Sequence, residues 1–143
     1  MKYLTLSRLA ASLVLCGLTG CATVSTMRAA PPQEGVSRTF VAEASDVEQT
    51  VRQIIARNQR LEFVDSQQID QRSWVIIAKE GMSAFSWGTL VRIFIEQIND
   101  TETTVRVVTK RRLATNITAK GDYSSEILGF IPAELQKREA LAH

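Results

Sequence analysis

With 143 residues, the chain is long enough for one small domain, and its 17 basic and 15 acidic residues leave a formal net charge of only +2. Such a weak charge argues against nucleic-acid binding, which normally requires a basic domain. The only histidine is His143 at the far terminus, and both cysteines, Cys16 and Cys21, fall near the start. A His/Cys zinc site and a histidine-based nucleophile triad are therefore excluded from the core.

The beginning of the chain has the features of a signal peptide. Lys2 and Arg8 give it a basic start, and residues 9–18 form an apolar run of about ten residues, far short of the roughly 20 that a membrane-spanning helix needs. The run closes on Leu18-Thr19-Gly20-Cys21, which resembles the lipobox of bacterial lipoprotein signal peptides. An ordinary secretory signal would also contain the apolar run, but the spacing and composition before Cys21 favour the lipoprotein interpretation.

This resemblance implies a lipid-anchored protein. Residues 1–20 would be removed, Cys21 would receive a diacylglycerol on its sulfur, and the new amino terminus would be acylated, because one chain alone gives only marginal anchoring. The second residue of the mature chain is Ala22, not the aspartate that is typical of inner-membrane retention in enteric-type Gram-negative bacteria. The expected location is therefore the periplasmic face of the outer membrane. The mature chain would have no thiol for a disulfide and would be formally neutral.

Residues 21–35 are predicted to form the lipidated cysteine and a flexible tether, followed by a single domain over residues 36–143. Residues 22–35 are mostly small or polar, lack an apolar period and contain Pro31-Pro32, a composition typical of linkers. As a coil, such a segment spans on the order of 20 Å. The domain is therefore expected to stand off the membrane.

The folded part is predicted to begin with a strand and a helix. Residues 36–42 read as a first strand, and Ser45-Asp46-Val47-Glu48 offers a capping box for a helix that ends near Asn58. The apolar residues of this helix recur at helical spacing: Val47, Val51, Ile54 and Ile55.

Four extended segments follow, over residues 61–66, 73–79, 89–98 and 103–111. The third is apolar at nearly every position and is predicted to be a central strand, with Val91, Ile93 and Ile95 on one face and Leu90, Arg92, Phe94, Glu96 and Ile98 on the other. In the second, Trp74, Ile76 and Ala78 face one way and Val75 and Ile77 the other. In the fourth, Val105 and Val107 share a face opposite Thr104, Arg106, Val108 and Lys110.

The last two strands are expected to form a hairpin. Like faces match only if paired residue numbers have an even sum, for example 95 with 107, because side chains alternate between faces. The loop near Asn99-Asp100-Thr101-Glu102 should then hold an odd number of residues, with three expected. Glu96 would lie opposite or diagonal to Arg106 on a solvated outer face.

A second helix is expected after Gly121, with Asp122 as its cap and Tyr123, Ile127, Leu128 and Ile131 as its apolar residues. Pro132 is predicted to interrupt it, because the residue before a proline is pushed out of helical geometry. The tail from Ala133 to His143 has few apolar residues and is expected to be loosely docked.

The predicted order is strand, helix, four strands, helix. Such an order indicates an α+β fold, an antiparallel sheet of about five strands with two helices on one face. It resembles small domains of uncharacterised bacterial envelope lipoproteins and helix-grip modules. This resemblance depends on element order alone and implies no functional residues.

The sequence contains no catalytic motif, and no enzyme activity or cofactor is expected. Carboxylate pairs such as Glu43 with Glu48 or Asp65 with Asp70 fall on a solvated helix start or in loops, and the seven glycines form no phosphate loop. The one basic run is Lys110-Arg111-Arg112. At a strand end it is most simply a solvated cluster, or it contacts an acidic partner or anionic headgroups.

The segment between the second and third of these strands, residues 81–88, carries Met82, Phe85 and Trp87 where a turn would normally be polar. One interpretation is that Phe85 and Trp87 extend the next strand, with Gly88 as a bulge. The other is an exposed apolar lip that contacts a protein or lipid. The candidate partner-binding residues are therefore Met82, Phe85, Trp87, Lys110, Arg111 and Arg112.

These observations predict a non-catalytic protein-interaction module held at the envelope membrane by its lipid, as an accessory subunit of an assembly or secretion machine. Its expected partners are the membrane and an envelope protein, with no nucleic acid. Two alternatives remain: a periplasmic inhibitor or immunity protein against an envelope-targeting enzyme, and a small lipophile-binding module with a cavity between sheet and helix.

Overall fold

The computed structural model describes residues 22–81, 88–113 and 121–141. Met82, Phe85 and Trp87 lie outside these ranges, as does Cys21. The elements in chain order are α1 (Val24–Arg28), β1 (Val36–Val41), α2 (Ala44–Arg57), β2 (Leu61–Asp70), β3 (Ser73–Glu80), β4 (Thr89–Gln97), β5 (Glu102–Arg111) and α3 (Ser124–Leu141).

The strands form one antiparallel five-stranded sheet in the order β1-β5-β4-β3-β2. The predicted α+β class is confirmed, and β4 is the central strand, as expected. Strand β2 is longer than the predicted 61–66, because the polar residues Gln67 and Gln68 continue the backbone pairing with β3. Backbone hydrogen bonds extend a strand without any apolar pattern.

The register of the β4–β5 hairpin has the predicted parity. Ile95 pairs with Val105, so the sum is even, although the example pair of 95 with 107 is wrong. The centre of the loop therefore lies one residue earlier in the chain than that example implies. A tight turn forms there because the Asn99 side-chain oxygen accepts a hydrogen bond from the Thr101 amide at 2.9 Å. Glu96 lies opposite Thr104 and is therefore diagonal to Arg106, as expected.

The inner face of the sheet packs against α2 and α3. Alternate residues of β3, β4 and β5, among them Ile76, Ile93 and Val107, form one buried cluster with residues of both helices. The predicted division of strand residues between faces is confirmed. Burying each such side chain contributes about 1.5–3 kcal/mol, so this cluster is the main core of the protein.

Helix α2 begins earlier than the sequence predicts. Glu43 is its N-cap and makes no side-chain capping bond, so the capping box predicted at Ser45 is wrong. Ala44 is fully buried, so packing draws the first helical residue into the core. Glu48, the expected reciprocal partner, instead forms an ion pair with Arg52. The helix ends at its C-cap Asn58, as predicted.

Helix α3 runs without a break through Pro132, which corrects the predicted interruption. A proline inside a helix removes one backbone hydrogen bond, but contacts on both sides of it hold this helix to α2. Ile131 is buried in the inner cluster before the proline. Beyond it, Arg138 donates to the Gln49 side chain at 2.6 Å. At the start, the Tyr123 carbonyl oxygen accepts the first bond of the helix, from Ile127, so the predicted cap Asp122 lies one residue before the N-cap position. The Asp122 side chain accepts a hydrogen bond from the Ser124 amide at 2.9 Å.

The outer face of the sheet is also covered, and the solvated face predicted there is wrong. Met27 of α1 is 0% exposed and belongs to a second buried cluster, whose other members are Val75, Ile77, Leu90, Phe94 and Val108. Ala22, Val24 and Val64 pack against this cluster. The α+β fold therefore has two helices on one face, as predicted, and a third, short helix on the other.

The segment predicted to be a flexible tether is a folded strap. We use N-terminal strap for residues 22–35, which comprise α1 and the chain that crosses the sheet to β1. A capping box of Thr23 and Thr26 starts α1, and Glu34 pairs with Lys110 of β5 at 2.7 Å. Gly35 ends the strap with a φ of 109°, where an added Cβ would lie 2.4 Å from the Val107 carbonyl oxygen. The packed unit thus includes residues 22–35 and does not begin at Val36.

Candidate functional site

The predicted apolar lip falls on residues that the structure does not describe, so the roles of Met82, Phe85 and Trp87 remain predictions. The residue that follows them, Gly88, has a φ of 77°, and a Cβ there would lie 2.4 Å from the Glu80 carbonyl oxygen. Gly88 precedes β4, and the β3–β4 pairing runs without a register shift from Ser73 to Lys79. This backbone geometry requires a glycine at position 88. The interpretation of Gly88 as a bulge depends on residues 82–87 and therefore stays a prediction.

The basic run does not form one cationic surface. Lys110 is paired with Glu34 of the N-terminal strap, whereas Arg111 is exposed and points to the other face, since successive strand residues alternate. The Arg112 backbone amide donates to the Gly88 carbonyl oxygen at 3.2 Å. The acidic partner of Lys110 is thus within the chain itself.

A groove between the end of α2 and α3 is a candidate site in the described part of the chain, and sequence reasoning missed it. Its volume is about 380 Å³, which is within the range of small-ligand pockets and is also enough for a few side chains of a partner. We call it the α2–α3 groove; it is lined by Ile54, Arg57, Asn58, Gln59, Arg60, Glu126, Phe130 and Glu134.

Helix geometry explains the α3 side of this groove. Glu126, Phe130 and Glu134 are four residues apart, which places them on one stripe of the helix. Phe130 is 51% exposed, although a phenylalanine gains free energy from burial. The ring therefore offers apolar surface between two carboxylates. The i, i+4, i+8 spacing was the sequence signal for this stripe, but only the position of α2 shows that it borders a groove.

The polar groups of the groove are held by hydrogen bonds. Asn58 donates to Glu126 at 2.9 Å, and its own side-chain oxygen accepts from the Arg60 amide at 2.9 Å. Glu134 pairs with Arg57 of α2 and, at 2.7 Å, with Lys137. These contacts, that with Lys137 above all, lower the pKa of Glu134. Glu134 is thus ionised at neutral pH, and both carboxylates are oriented by these contacts before any partner binds.

Arg60 differs from the other charged residues of the groove. Arg57 and Glu134 are paired with each other, and Glu126 accepts a hydrogen bond from Asn58. The exposed Arg60 side chain forms neither a salt bridge nor a hydrogen bond within residues 22–81, 88–113 and 121–141. A guanidinium without a carboxylate can form bidentate hydrogen bonds with an incoming one. The groove therefore combines an exposed aromatic ring with an available cation.

Beside the groove, the Tyr123 hydroxyl is buried. Burial, together with the nearby Glu80 carboxylate, raises its pKa to about 12, so Tyr123 stays protonated at neutral pH. In the described ranges, no group of three or more acidic, cysteine or histidine residues is arranged to hold a metal ion. No helix among these residues has the length and apolar content to cross a membrane.

No known protein-family model matches this chain, and no curated protein is significantly similar to it in sequence. The functional proposal therefore rests on the chain's own sequence and geometry.

Proposed function

We propose that this protein is a lipid-anchored lipoprotein of the bacterial cell envelope that acts as a non-catalytic protein-interaction module, as an accessory subunit of an assembly or secretion machine. The lipobox pattern ending at Cys21 supports the anchor. The observation that carries the interaction role is Phe130, half exposed between the fixed carboxylates of Glu126 and Glu134. The α2–α3 groove is the binding surface of this proposal.

The composition of the groove suits a protein partner. Exposed aromatic rings and arginines are enriched at protein interfaces, where they often carry much of the binding energy. The side chains around Phe130 are already held by hydrogen bonds and ion pairs, which reduces the entropy lost on binding. The partner segment would place an apolar side chain against Phe130 and an acidic group near Arg60.

The described structure does not favour a lipophile-binding module. Such a module would need space between sheet and helices, whereas Ile55, Ile93 and Ile127 fill that layer and are all fully buried. The α2–α3 groove lies between two helices and is bordered by charged residues. Among the described residues, no single contact favours the inhibitor or immunity role over that of an accessory subunit.

Site-specific photocrosslinking in living cells tests this proposal. A photoreactive phenylalanine analogue at position 130 should give a discrete protein adduct, because its ring lies in the groove. The matched control is the same analogue at Ile69, which is 53% exposed but lies at the far end of β2, nine residues or roughly 30 Å along the chain from Arg60. Position 69 should give no such adduct.

Two further results test the lipid anchor and the interaction role separately. Cys21→Ser should abolish incorporation of labelled fatty acid and membrane fractionation, and should weaken the position-130 adduct because the protein leaves the membrane. The absence of any adduct at position 130, or identical adducts at positions 130 and 69, would contradict the interaction role. Normal lipid incorporation in the Cys21→Ser variant would contradict the anchor.

A further inference from the structure

The N-terminal strap and the α2–α3 groove lie on opposite faces of the sheet. Met27 packs with Val75 and Phe94 on the outer face, whereas Ile54, at the groove, belongs to the inner cluster with Ile93. Residues 93 and 94 are neighbours in β4 and point in opposite directions. The sheet therefore separates the strap from the groove.

The position of the strap determines where an acyl group on Cys21 would be. Cys21 is bonded to Ala22, and consecutive Cα atoms are about 3.8 Å apart. Ala22 already packs against the outer cluster. The lipid attachment point is therefore one residue from the packed surface, with no spacer between them.

Contacts along the whole strap hold it to the sheet, so the strap does not act as a flexible spacer. Arg28 forms an ion pair with Asp65 of β2. Arg92 of β4 donates to the Pro31 carbonyl oxygen at 3.1 Å. These two contacts, the burial of Met27 and the pair of Glu34 with Lys110 join the strap to β2, β3, β4 and β5.

We propose that the acylated protein lies with its strap-covered face against the phospholipid bilayer and its α2–α3 groove facing away from it. This inference rests on the proposed lipidation of Cys21. Layers of a small domain pack about 10 Å apart, so the groove lies about 20 Å farther from the bilayer than the strap. The lipid attachment sets this orientation, since the charges beside the strap, Arg28 with Asp65 and Lys110 with Glu34, are already paired within the chain.

Short-range fluorescence quenching tests the orientation. The full-length precursor is processed in cells, and the acylated protein is reconstituted into phosphatidylcholine vesicles with a quencher on their headgroups. A single labelled cysteine replaces Ser25 on α1 or Gln136 on α3, both exposed. The added thiol is the only one available, because Cys16 is removed with the signal peptide and Cys21 is acylated. We expect strong quenching at position 25 and at least fivefold weaker quenching at position 136.

A spacer variant is the matched control. Fourteen Gly and Ser residues inserted between Cys21 and Ala22 leave the strap intact but allow the domain to move on the order of 20 Å from the bilayer. Quenching at position 25 should then fall to the level at position 136. Equal quenching at both positions in the protein without the spacer would overturn the proposed orientation. Failure of that protein to incorporate lipid would overturn both this inference and the proposed anchor, while adducts at position 130 would still support the groove.

Discussion

The two faces of the sheet are covered in different ways. On the inner face, helices of 14 and 18 residues bury a large apolar cluster. On the outer face, a five-residue helix and the rest of the N-terminal strap cover a smaller cluster. The outer face also contains Arg92, which is 2% exposed. The inner face therefore determines global stability, whereas the outer face depends on a few point contacts.

Because the two faces are covered differently, we expect the outer face to open locally at a lower free energy than the inner face. Regions with few buried contacts open locally at a lower free energy than the global unfolding of the domain. The strap is such a region, because Met27 is the one fully buried side chain among its described residues. Substitutions on the inner face should therefore reduce the free energy of global unfolding more than those on the strap.

The largest effect is expected from Ile93→Ala. Ile93 is fully buried in the central strand, against α2 and α3, and such truncations cost about 2–5 kcal/mol. Met27→Ala is the matched outer-face variant, and its cost is limited to the docking energy of the strap. Urea denaturation should show the smaller loss for Met27→Ala. Equal losses would contradict the difference between the faces.

Gly35→Ala should have the next largest effect. It forces an alanine into a φ of 109° and places a Cβ 2.4 Å from the Val107 carbonyl oxygen, which should cost about 1–3 kcal/mol. Gly129→Ala is the control: its added Cβ meets nothing within 4 Å, and helix propensity should stabilise α3 by about 1 kcal/mol. Thermal unfolding should shift in opposite directions for the two variants. A neutral Gly35→Ala variant would show that the strap does not approach β5 so closely.

Arg92→Met should leave stability unchanged or raise it by about 1 kcal/mol. The Arg92 guanidinium makes one hydrogen bond, to Pro31, lies 5.5 Å from the Phe94 ring, and has its Nε buried without a hydrogen-bond partner in the described part of the chain. Methionine keeps much of the side-chain volume and removes an incompletely paired charge. Arg92→Ala, which leaves a cavity, is the control and should be less stable. Equal destabilisation of both variants, measured in urea, would mean that the guanidinium itself holds the strap.

The last expected effect, that of Tyr123, is seen only at alkaline pH. Its pKa in the folded protein is raised to about 12, above the unfolded value of about 10. Between these values the unfolded state loses the proton first, so this tyrosine's contribution to stability falls as the pH rises from about 10 to about 12. The melting temperature of wild type minus that of Tyr123→Phe should therefore decrease over this interval. A constant difference would show that the hydroxyl is not buried.

The inner half of the fold was predictable because its signals repeat. The alternation at Val91, Ile93 and Ile95 assigned the faces of β4, and the spacing from Val47 to Ile55 predicted α2. The helix interruption predicted at Pro132 was wrong, because tertiary contacts of Ile131 and Arg138 outweigh the local effect of a proline.

The strap was not predictable, because five helical residues with one buried methionine leave no measurable period. Leu90 and Phe94 did carry a signal: apolar residues on both faces of β4 indicate that both faces are covered. The α2–α3 groove depends on how two distant helices pack, which residue spacing within either helix does not determine.

Hydrogen exchange at the Met27 amide tests the central claim most directly. That amide donates to the Thr23 carbonyl oxygen at 3.0 Å, and the Ala29 amide donates to the Ser25 carbonyl oxygen at 3.1 Å. In a protein of residues 21–143 with Cys21→Ser, a docked strap predicts that both amides exchange much more slowly than in an isolated peptide of residues 22–35. Met27→Ala should remove this protection while the amides of β4 stay protected. Exchange at the peptide rate in the unsubstituted strap would contradict the account, because residues 22–35 would then be a free tether.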